Sequence, residues 1–167
     1  VVGIGGLGHL AVKFARAWGC EVTAFTSSAS KRDEALALGA HRTASSVDVK
    51  ELKSLAGSLD FLLVTVGAAL EWDALIGTLA PKGRLHLVGV VTDAMKLKTG
   101  GLLSWQRSLS ASPTPSPTTL TTMMEFAVRH GIAPQVEHFP MSQVNAALDH
   151  LRANKARYRI VLDADFA

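Results

Sequence analysis

The sequence predicts an α/β fold in which a doubly wound parallel sheet carries helices on both faces. Two patterns support this prediction. Segments with helical and strand-like apolar spacing alternate through residues 1–112, and the connections between them are short. Residues 60–66 and 84–90 are nearly continuous apolar runs, which are typical of strands buried on both faces of a parallel sheet.

The first helix, strand and second helix follow from local signals. Apolar residues recur at helical spacing from Leu7 to Trp18, and Gly19 ends this helix. Residues 21–25 form a short apolar segment that predicts a strand. Ser30 then stands where a helix N-cap is expected, and Gly39 closes the second helix.

The middle of the chain continues the alternation. Residues 41–45 predict a weak strand, and a helix near 47–56 leads into the buried strand 60–66. A further helix, about 70–79, is stopped at Pro81 and Gly83, which suit a type I turn before strand 84–90. Residues 92–108 mix charges, a Gly-Gly pair and apolar residues and give no clear prediction, and residues 109–112 predict a last strand.

The C-terminal part begins with a proline-rich break at residues 113–117. Ser116 is a predicted N-cap with Pro117 at the first helical position. Met123 and Met124 share one face of that helix with Leu120 and Ala127, a spacing that indicates core packing. A strand at 135–139, a helix over 144–151 and a strand at 157–162 complete the predicted elements.

Composition limits the classes of partner. Of 167 residues, 48% are hydrophobic and 19% are charged, so the chain can bury a core. No apolar run approaches the ~18 residues that a membrane helix needs. The net charge is only +3, and the basic cluster at 152–159 holds one aromatic residue, Tyr158, which favours a solvated helix end. We therefore expect neither a membrane nor a nucleic-acid partner.

The cysteine content excludes some chemistry. Cys20 is the only cysteine, so an internal disulfide and a multi-cysteine zinc site are excluded within these residues. A single cysteine suits a reducing compartment, and we predict a cytoplasmic location. Because Cys20 lies between a helix-ending glycine and a buried strand, we expect it to be a small apolar filler.

The motif that carries chemistry is a glycine-rich turn. Gly3, Gly5 and Gly8 form GxGxxG between a strand end and a helix, and a second strand follows about twenty residues on. Gly3 would permit a tight turn, Gly5 would let a pyrophosphate approach the backbone, and Gly8 would allow close helix–strand packing. The helix N-terminus would present N–H groups to the phosphates. The alternative, a plain glycine-rich turn, is less favoured in this context.

The end of the second strand indicates which dinucleotide binds. NAD-binding proteins place an acidic residue there for the ribose 2′-hydroxyl, but this chain has Thr26. Ser27, Ser28 and Lys31 follow, and hydroxyls with a cation would bind a 2′-phosphate. This favours NADP(H) over NAD(H). The alternative is that these residues only cap the next helix.

The chain resembles the zinc-dependent medium-chain alcohol dehydrogenases, and within them the NADP-dependent branch that is similar to cinnamyl alcohol dehydrogenases. The segments that carry the resemblance are GIGGLGHLAVKFARAWG (3–19), TSSASKRDEALALGA (26–40), LAPKGRLHLVGV (79–90) and FPMSQVNAALDHLRANKARYRIVL (139–162). It implies a Rossmann-type dinucleotide-binding domain over residues 1–112, with a truncated first strand. It also implies that residues 113–167 form a C-terminal segment that packs on a catalytic domain.

The resemblance has consequences for metal, partners and activity. In the family, the zinc ligands and the proton relay precede the glycine turn, in an N-terminal domain of roughly this chain's size. We therefore expect a fragment that binds NADP(H), contains no catalytic or metal-ligating residue and is inactive alone. Its expected partners are that missing catalytic domain and, as a candidate assembly, a second copy in a homodimer.

The resemblance also assigns cofactor contacts residue by residue. It implies that the turn Gly3, Gly5, Gly6, Leu7 and Gly8 binds the pyrophosphate, and that Thr26, Ser27, Ser28 and Lys31 surround the 2′-phosphate. It places Thr65 and Gly89 on the nicotinamide side. A further cofactor-contacting stretch is Ser112, Pro113 and Thr114, preceded by Ala111 where relatives carry glycine.

Two other functions compete with this interpretation. A non-catalytic, nucleotide-sensing Rossmann module remains an alternative, although such modules usually keep an acidic residue where Thr26 stands. A short-chain dehydrogenase needs a tyrosine with a lysine four residues later, and Tyr158 has Leu162 at that offset. The favoured hypothesis is the NADP(H)-binding portion of a zinc-type alcohol or aldehyde oxidoreductase.

Overall fold

Parallel strands form the main sheet of the computed structural model, which describes residues 1–166. The strands are β1 (Thr23–Thr26), β2 (Arg42–Ser45), β3 (Leu59–Val64), β4 (Leu79–Leu87) and β5 (Ser108–Ala111). Val2 bridges Phe25 on one side and Val64 on the other. The order across the sheet is therefore β2–β1–Val2–β3–β4–β5.

This strand order confirms the predicted fold class. If Val2 is counted as the first strand, the order is 3-2-1-4-5-6, as in Rossmann folds, and it reverses at Val2. All of these pairings are parallel. Val2 is fully buried, so the reversal point lies in the centre of the protein.

Helices cover both faces of the sheet. They are α1 (Gly8–Ala17), α2 (Lys31–Ala37), α3 (Val49–Ser54), α4 (Trp72–Thr78) and a short α5 (Gly100–Leu103). Ala24 belongs to a core with residues of α1 and α2, whereas the next residue, Phe25, belongs to a core with residues of α3 and α4. Neighbouring residues of a strand point to opposite faces, so the two cores lie on opposite sides of the sheet.

The C-terminal part forms a second, smaller layer. It contains α6 (Pro117–Arg129), β6 (Val136–Pro140), a 3-10 turn (Met141–Gln143), α7 (Val144–Arg152) and β7 (Arg159–Asp163). Strands β6 and β7 pair in parallel. The Ser116 hydroxyl accepts the Thr119 N–H at 3.3 Å, and Pro117 begins the helix, so the predicted cap is confirmed. The domain boundary predicted after residue 112 falls between β5 and α6 and stays a prediction.

Several local predictions were wrong. Strand β4 begins at Leu79 rather than at residue 84, because Leu79 already pairs with Leu59. Lys82 has φ of +63°, which a type I turn does not allow. Ser30 occupies the N-cap position of α2, but its hydroxyl bonds the Ser28 hydroxyl at 2.8 Å instead of capping the helix.

Two burial predictions were also wrong. Cys20 is exposed, because the bend after Gly19 leaves it at the surface before β1 begins. Met123 and Met124 are also exposed, with 38% and 56% of their surfaces accessible. Helix α6 packs through the buried Ala127 and through Phe126, whose ring lies 5.9 Å from Phe14 of α1, while the methionines lie outside this contact. None of the helices within residues 1–166 is long and apolar enough to cross a membrane.

Candidate functional site

The predicted site residues line one edge of the sheet. Because the strands are parallel, their carboxyl ends meet at the same edge. Thr26 ends β1, Thr65 follows β3, Gly89 follows β4 and Ser112 follows β5. The glycine turn connects Val2 to α1 between them, at the point where the strand order reverses. Ligands of open α/β sheets bind at such a point.

Two glycines of the turn are required by the fold itself. Gly3 has φ of +88°, and a Cβ atom there would overlap the Val66 side chain. A Cβ atom on Gly8 would overlap the carbonyl oxygen of Gly3. Helix α1 therefore packs on the end of the first strand with no room for a side chain at residue 8.

Gly5 differs from these two glycines. A Cβ atom there would meet no heavy atom within 4 Å, and its backbone does not adopt a positive φ. Nothing within the described chain requires glycine at this position. The space beside Gly5 is open at the edge of the sheet where a ligand is expected.

The N-terminus of α1 presents unsatisfied donors to that space. The N–H groups of Gly5, Gly6, Leu7 and Gly8 have no hydrogen-bond acceptor within residues 1–166. Free N–H groups and the helix dipole together favour an anion. The residues present therefore fit a dinucleotide pyrophosphate.

A cation that the sequence patterns did not indicate lies beside the turn. A Cβ atom on Gly6 would lie 3.1 Å from Nε of Arg159, so this guanidinium passes directly over the turn. The basic cluster that contains Arg159 was predicted to be a solvated helix end; Arg159 is exposed, but it does not belong to a helix end. Arg159 is the first residue of β7, and no local pattern connects it with residues so distant in the sequence.

His9 is the second residue that the sequence patterns did not indicate. Its side chain is fully buried and stacks on Tyr158, with the ring centroids 4.7 Å apart. Nδ1 lies 3.0 Å from the carbonyl oxygen of Gly5, and Nε2 accepts the N–H of Gln135 at 3.2 Å. Burial lowers the pKa of His9, although the hydrogen bond to Gly5 acts in the opposite direction.

Tyr158 extends this network to α2. Its hydroxyl donates to Glu34 at 2.7 Å, and Nε of Arg157 donates to the same carboxylate at 3.1 Å. Burial alone would raise the pKa of Glu34, but the bonds from Tyr158 and Arg157 bring it below its ordinary value. Burial and the bond to Glu34 raise the pKa of Tyr158. The network thus joins an ionised Glu34 to a neutral phenol.

At the end of β1, Thr26 shapes the loop that follows. Its buried hydroxyl accepts the N–H of Ser28 at 3.1 Å. Ser27 is exposed, and Lys31 has no ion pair within residues 1–166. These residues are available to a ligand at this end of the edge.

Arg32, the next cation, forms an ion pair with Glu51. Its guanidinium donates to both oxygens of Glu51, at 2.8 and 3.0 Å. Glu51 also accepts the N–H of Ser45. The bonds from Arg32 and Ser45 lower the pKa of Glu51, so this carboxylate stays ionised. Lys31 is therefore the cation of this loop that is free to bind a phosphate.

The loops after β3 and β4 complete the edge. The Thr65 hydroxyl donates to the carbonyl oxygen of Gly3 at 2.9 Å, so Thr65 supports the glycine turn. A Cβ atom on Gly89 would lie 2.8 Å from the Val66 carbonyl oxygen, so the two loops touch backbone to backbone. That Thr65 and Gly89 line the nicotinamide stays a prediction.

The third predicted stretch begins at the end of β5. Ser112 donates its N–H to Leu87 at 3.3 Å, and its hydroxyl lies 2.9 Å from Nε2 of His86. Pro113 and Thr114 are exposed, as is Ala111. Their contact with a cofactor stays a prediction.

Other places in the structure do not offer a better site. A cavity of about 290 Å³ lies at the amino ends of β1 and β3, where it is lined by Val22, Thr23, Leu59 and Phe61, and it contacts none of the predicted site residues. No group of three or more His, Cys, Asp or Glu side chains that could hold a metal ion occurs within residues 1–166.

The fold and the glycine turn together define a Rossmann-type dinucleotide-binding domain. The family model of zinc-binding dehydrogenases matches residues 6–129, and the chain belongs to this family.

Its similarity to individual proteins narrows this assignment. The chain is 54% identical to an aldehyde reductase (AdhA) of Synechocystis sp. over 162 residues, which are 97% of the chain and 48% of that protein. It is 40% identical to a probable cinnamyl alcohol dehydrogenase (8A) of Oryza sativa over 98% of the chain and 46% of that protein. The chain therefore spans about half the length of the curated relatives it matches.

Solved structures show the same relationship. A cinnamyl alcohol dehydrogenase from Sorghum bicolor matches with a TM-score of 0.94 and 36% identity, over 99% of the chain and 48% of that protein. The enzyme CAD from Helicobacter pylori, complexed with NADP(H), matches with a TM-score of 0.84 and 28% identity, over 97% and 46%. The predicted resemblance to the cinnamyl-alcohol-dehydrogenase-like branch is confirmed.

We predict that substitutions at Gly8, which has no room for a side chain, and at Gly5, which has, differ in their effect on stability. We expect Gly8→Ala to destabilise the fold by about 1–3 kcal/mol, because the new methyl group forces α1 away from Gly3. Gly5→Ala should change the free energy of unfolding by less than about 1 kcal/mol. Urea unfolding followed by circular dichroism measures both, and equal stabilities of the two variants would show that the fold does not require glycine at residue 8.

Proposed function

We propose that this chain is the NADP(H)-binding part of a zinc-type oxidoreductase that transfers hydride between an alcohol or aldehyde and nicotinamide. The observation that carries the proposal is the open space beside Gly5, faced by the free N–H groups that begin α1. Family membership and the NADP(H) complex of the Helicobacter pylori neighbour support it.

In this proposal, each part of the dinucleotide has its own contacts. The turn from Gly3 to Gly8 binds the pyrophosphate together with Arg159. Ser27, Ser28 and Lys31 bind the 2′-phosphate on the loop that Thr26 shapes. Thr65 and Gly89 lie towards the nicotinamide, and the stretch 112–114 makes a further contact with the cofactor. The bound nicotinamide supplies the hydride acceptor or donor, and these residues hold and orient it.

The proposal also assigns a place to the metal of the enzyme. We propose that zinc is held by a catalytic domain outside the 167 residues, because the chain belongs to the zinc-binding dehydrogenases and spans about half the length of its curated relatives. On this proposal, α6, β6, α7 and β7 pack against that domain. The exposed Met124 and Val128 of α6 supply apolar surface for such a contact.

Three further features of the proposal come from the sequence. The enzyme is placed in the cytoplasm, which suits a chain with a single cysteine. A homodimer is its proposed assembly, and the chain alone is proposed to be inactive. The alternative, a non-catalytic nucleotide sensor, is less favoured because the relatives are named as reductases and dehydrogenases.

The choice of NADP(H) over NAD(H) is tested at Lys31. NADPH should bind more tightly than NADH, and Lys31→Ala should reduce that difference by ~1–3 kcal/mol through loss of a charge-assisted phosphate contact. Lys53→Ala, which removes the same charge from exposed α3, is the control and should leave the difference unchanged. Fluorescence titration with both nucleotides measures the effect, and equal affinity of the unaltered protein for NADPH and NADH would contradict the assignment.

The 167-residue chain tests the proposal that these residues bind the cofactor while catalysis needs a further domain. It should bind NADPH but show no turnover of NADP⁺ with primary and aromatic alcohols, with or without added zinc. Gly5→Val should abolish NADPH binding without lowering the unfolding midpoint, because its side chain fills the open space. Zinc-dependent turnover would overturn this proposal, and normal NADPH binding by Gly5→Val would show that the turn has no role in binding.

A further inference from the structure

The hydrogen bonds of His9 determine which ring nitrogen carries the proton. Nε2 faces the N–H of Gln135, which is always a donor, so Nε2 accepts and bears no proton. Nδ1 faces the carbonyl oxygen of Gly5, which is always an acceptor, so Nδ1 carries the proton and donates. The buried ring is therefore neutral, with its proton on Nδ1.

This tautomer fixes the backbone of the glycine turn. The Gly5 carbonyl oxygen accepts both Nδ1–H and the backbone N–H of His9, each at 3.0 Å. In a trans peptide the carbonyl and the following N–H point in opposite directions, and the bond from Gly5 to Gly6 is trans. Holding the carbonyl of Gly5 towards α1 therefore turns the N–H of Gly6 outward, to the open side of the turn.

The other side of the ring holds the C-terminal strands. Gln135, whose N–H binds Nε2, accepts the N–H groups of Tyr158 and Arg159 on its own carbonyl oxygen, at 3.1 and 3.2 Å. Tyr158 stacks on the same ring. A second bond between these parts, from Lys13 Nζ to the carbonyl oxygen of Ala133 at 2.8 Å, lies nearby on α1. His9 thus sets the distance between the turn and the strand that carries Arg159.

We propose that His9 is a positioning residue, which holds the glycine turn and the β6–β7 pair in register so that the free N–H groups and the Arg159 guanidinium converge on one pyrophosphate. This inference rests on the proposed coenzyme function. It assigns to His9 a role in affinity without a contact with the cofactor.

The main test replaces both ring nitrogens while keeping a planar ring for Tyr158. His9→Phe should raise the Kd for NADPH about tenfold, because Gly5 and Gln135 each lose a buried partner. His130→Phe, at an exposed histidine that ends α6, is the matched control and should leave the Kd unchanged. Circular dichroism establishes that both variants are folded at the temperature of the titration.

A double-mutant cycle separates positioning from general support of the fold. Arg159→Met should weaken NADPH binding in the unaltered protein and weaken it less when His9→Phe is already present. Additive effects of the two substitutions would overturn the proposal. An unaltered protein that does not bind NADPH at all would refute the coenzyme function instead, so the two failures are distinguishable.

Nitrogen NMR of the unaltered protein tests the proposal without any variant. With ¹⁵N-labelled histidine, His9 should show a protonated Nδ1 and an unprotonated Nε2, and it should remain so on addition of NADPH. A proton on Nε2 would overturn the proposal. The pH is varied to identify the His9 resonance. The charged or titratable groups that face this ring are Lys13, Tyr158 and Arg159 and, beyond Tyr158, Glu34 and Arg157.

Discussion

The close packing of α1 on the end of the first strand is the constraint on which the rest of the site depends. A side chain at residue 8 would overlap the carbonyl of Gly3, and the Thr65 hydroxyl donates to that same carbonyl. This contact brings the N-terminus of α1 to the carboxyl edge of the sheet, where its N–H groups remain free. If α1 were displaced by the width of a methyl group, the turn would lose its shape and the hydrogen bond from Thr65 to Gly3.

The loop after β1 shows how the fold assigns different roles to similar residues. Lys31 and Arg32 are adjacent in sequence and carry the same charge. Arg32 binds Glu51 with two hydrogen bonds and so joins α2 to α3, while Lys31 forms no ion pair within residues 1–166. One guanidinium nitrogen of Arg32, Nη2, contacts both carboxylate oxygens of Glu51, which leaves the more flexible lysine to meet a ligand.

Local patterns predicted most of the fold, and their failures share a physical cause. The alternation of elements, the glycine turn and the Ser116 cap depend on neighbours in sequence, and all three are present in the structure. The sequence patterns misplaced the start of β4, which depends on pairing with Leu59, and the exposure of Cys20. They also gave no sign of the contacts of His9 with Gln135 and Tyr158, or of Arg159 with the turn, because no periodicity connects residues so distant in the sequence.

The contact between the glycine turn and β7 also has a consequence for synthesis on the ribosome. The turn occupies residues 3–8, whereas Gln135, Tyr158 and Arg159 lie near the other end of the chain. When the strands of the Rossmann sheet have left the ribosome, the nascent chain still lacks the Arg159 guanidinium that lies over Gly6. It also lacks the N–H of Gln135 that binds the His9 ring. On the proposed function, full affinity for the coenzyme therefore requires β7, which is synthesised after the sheet that carries the turn.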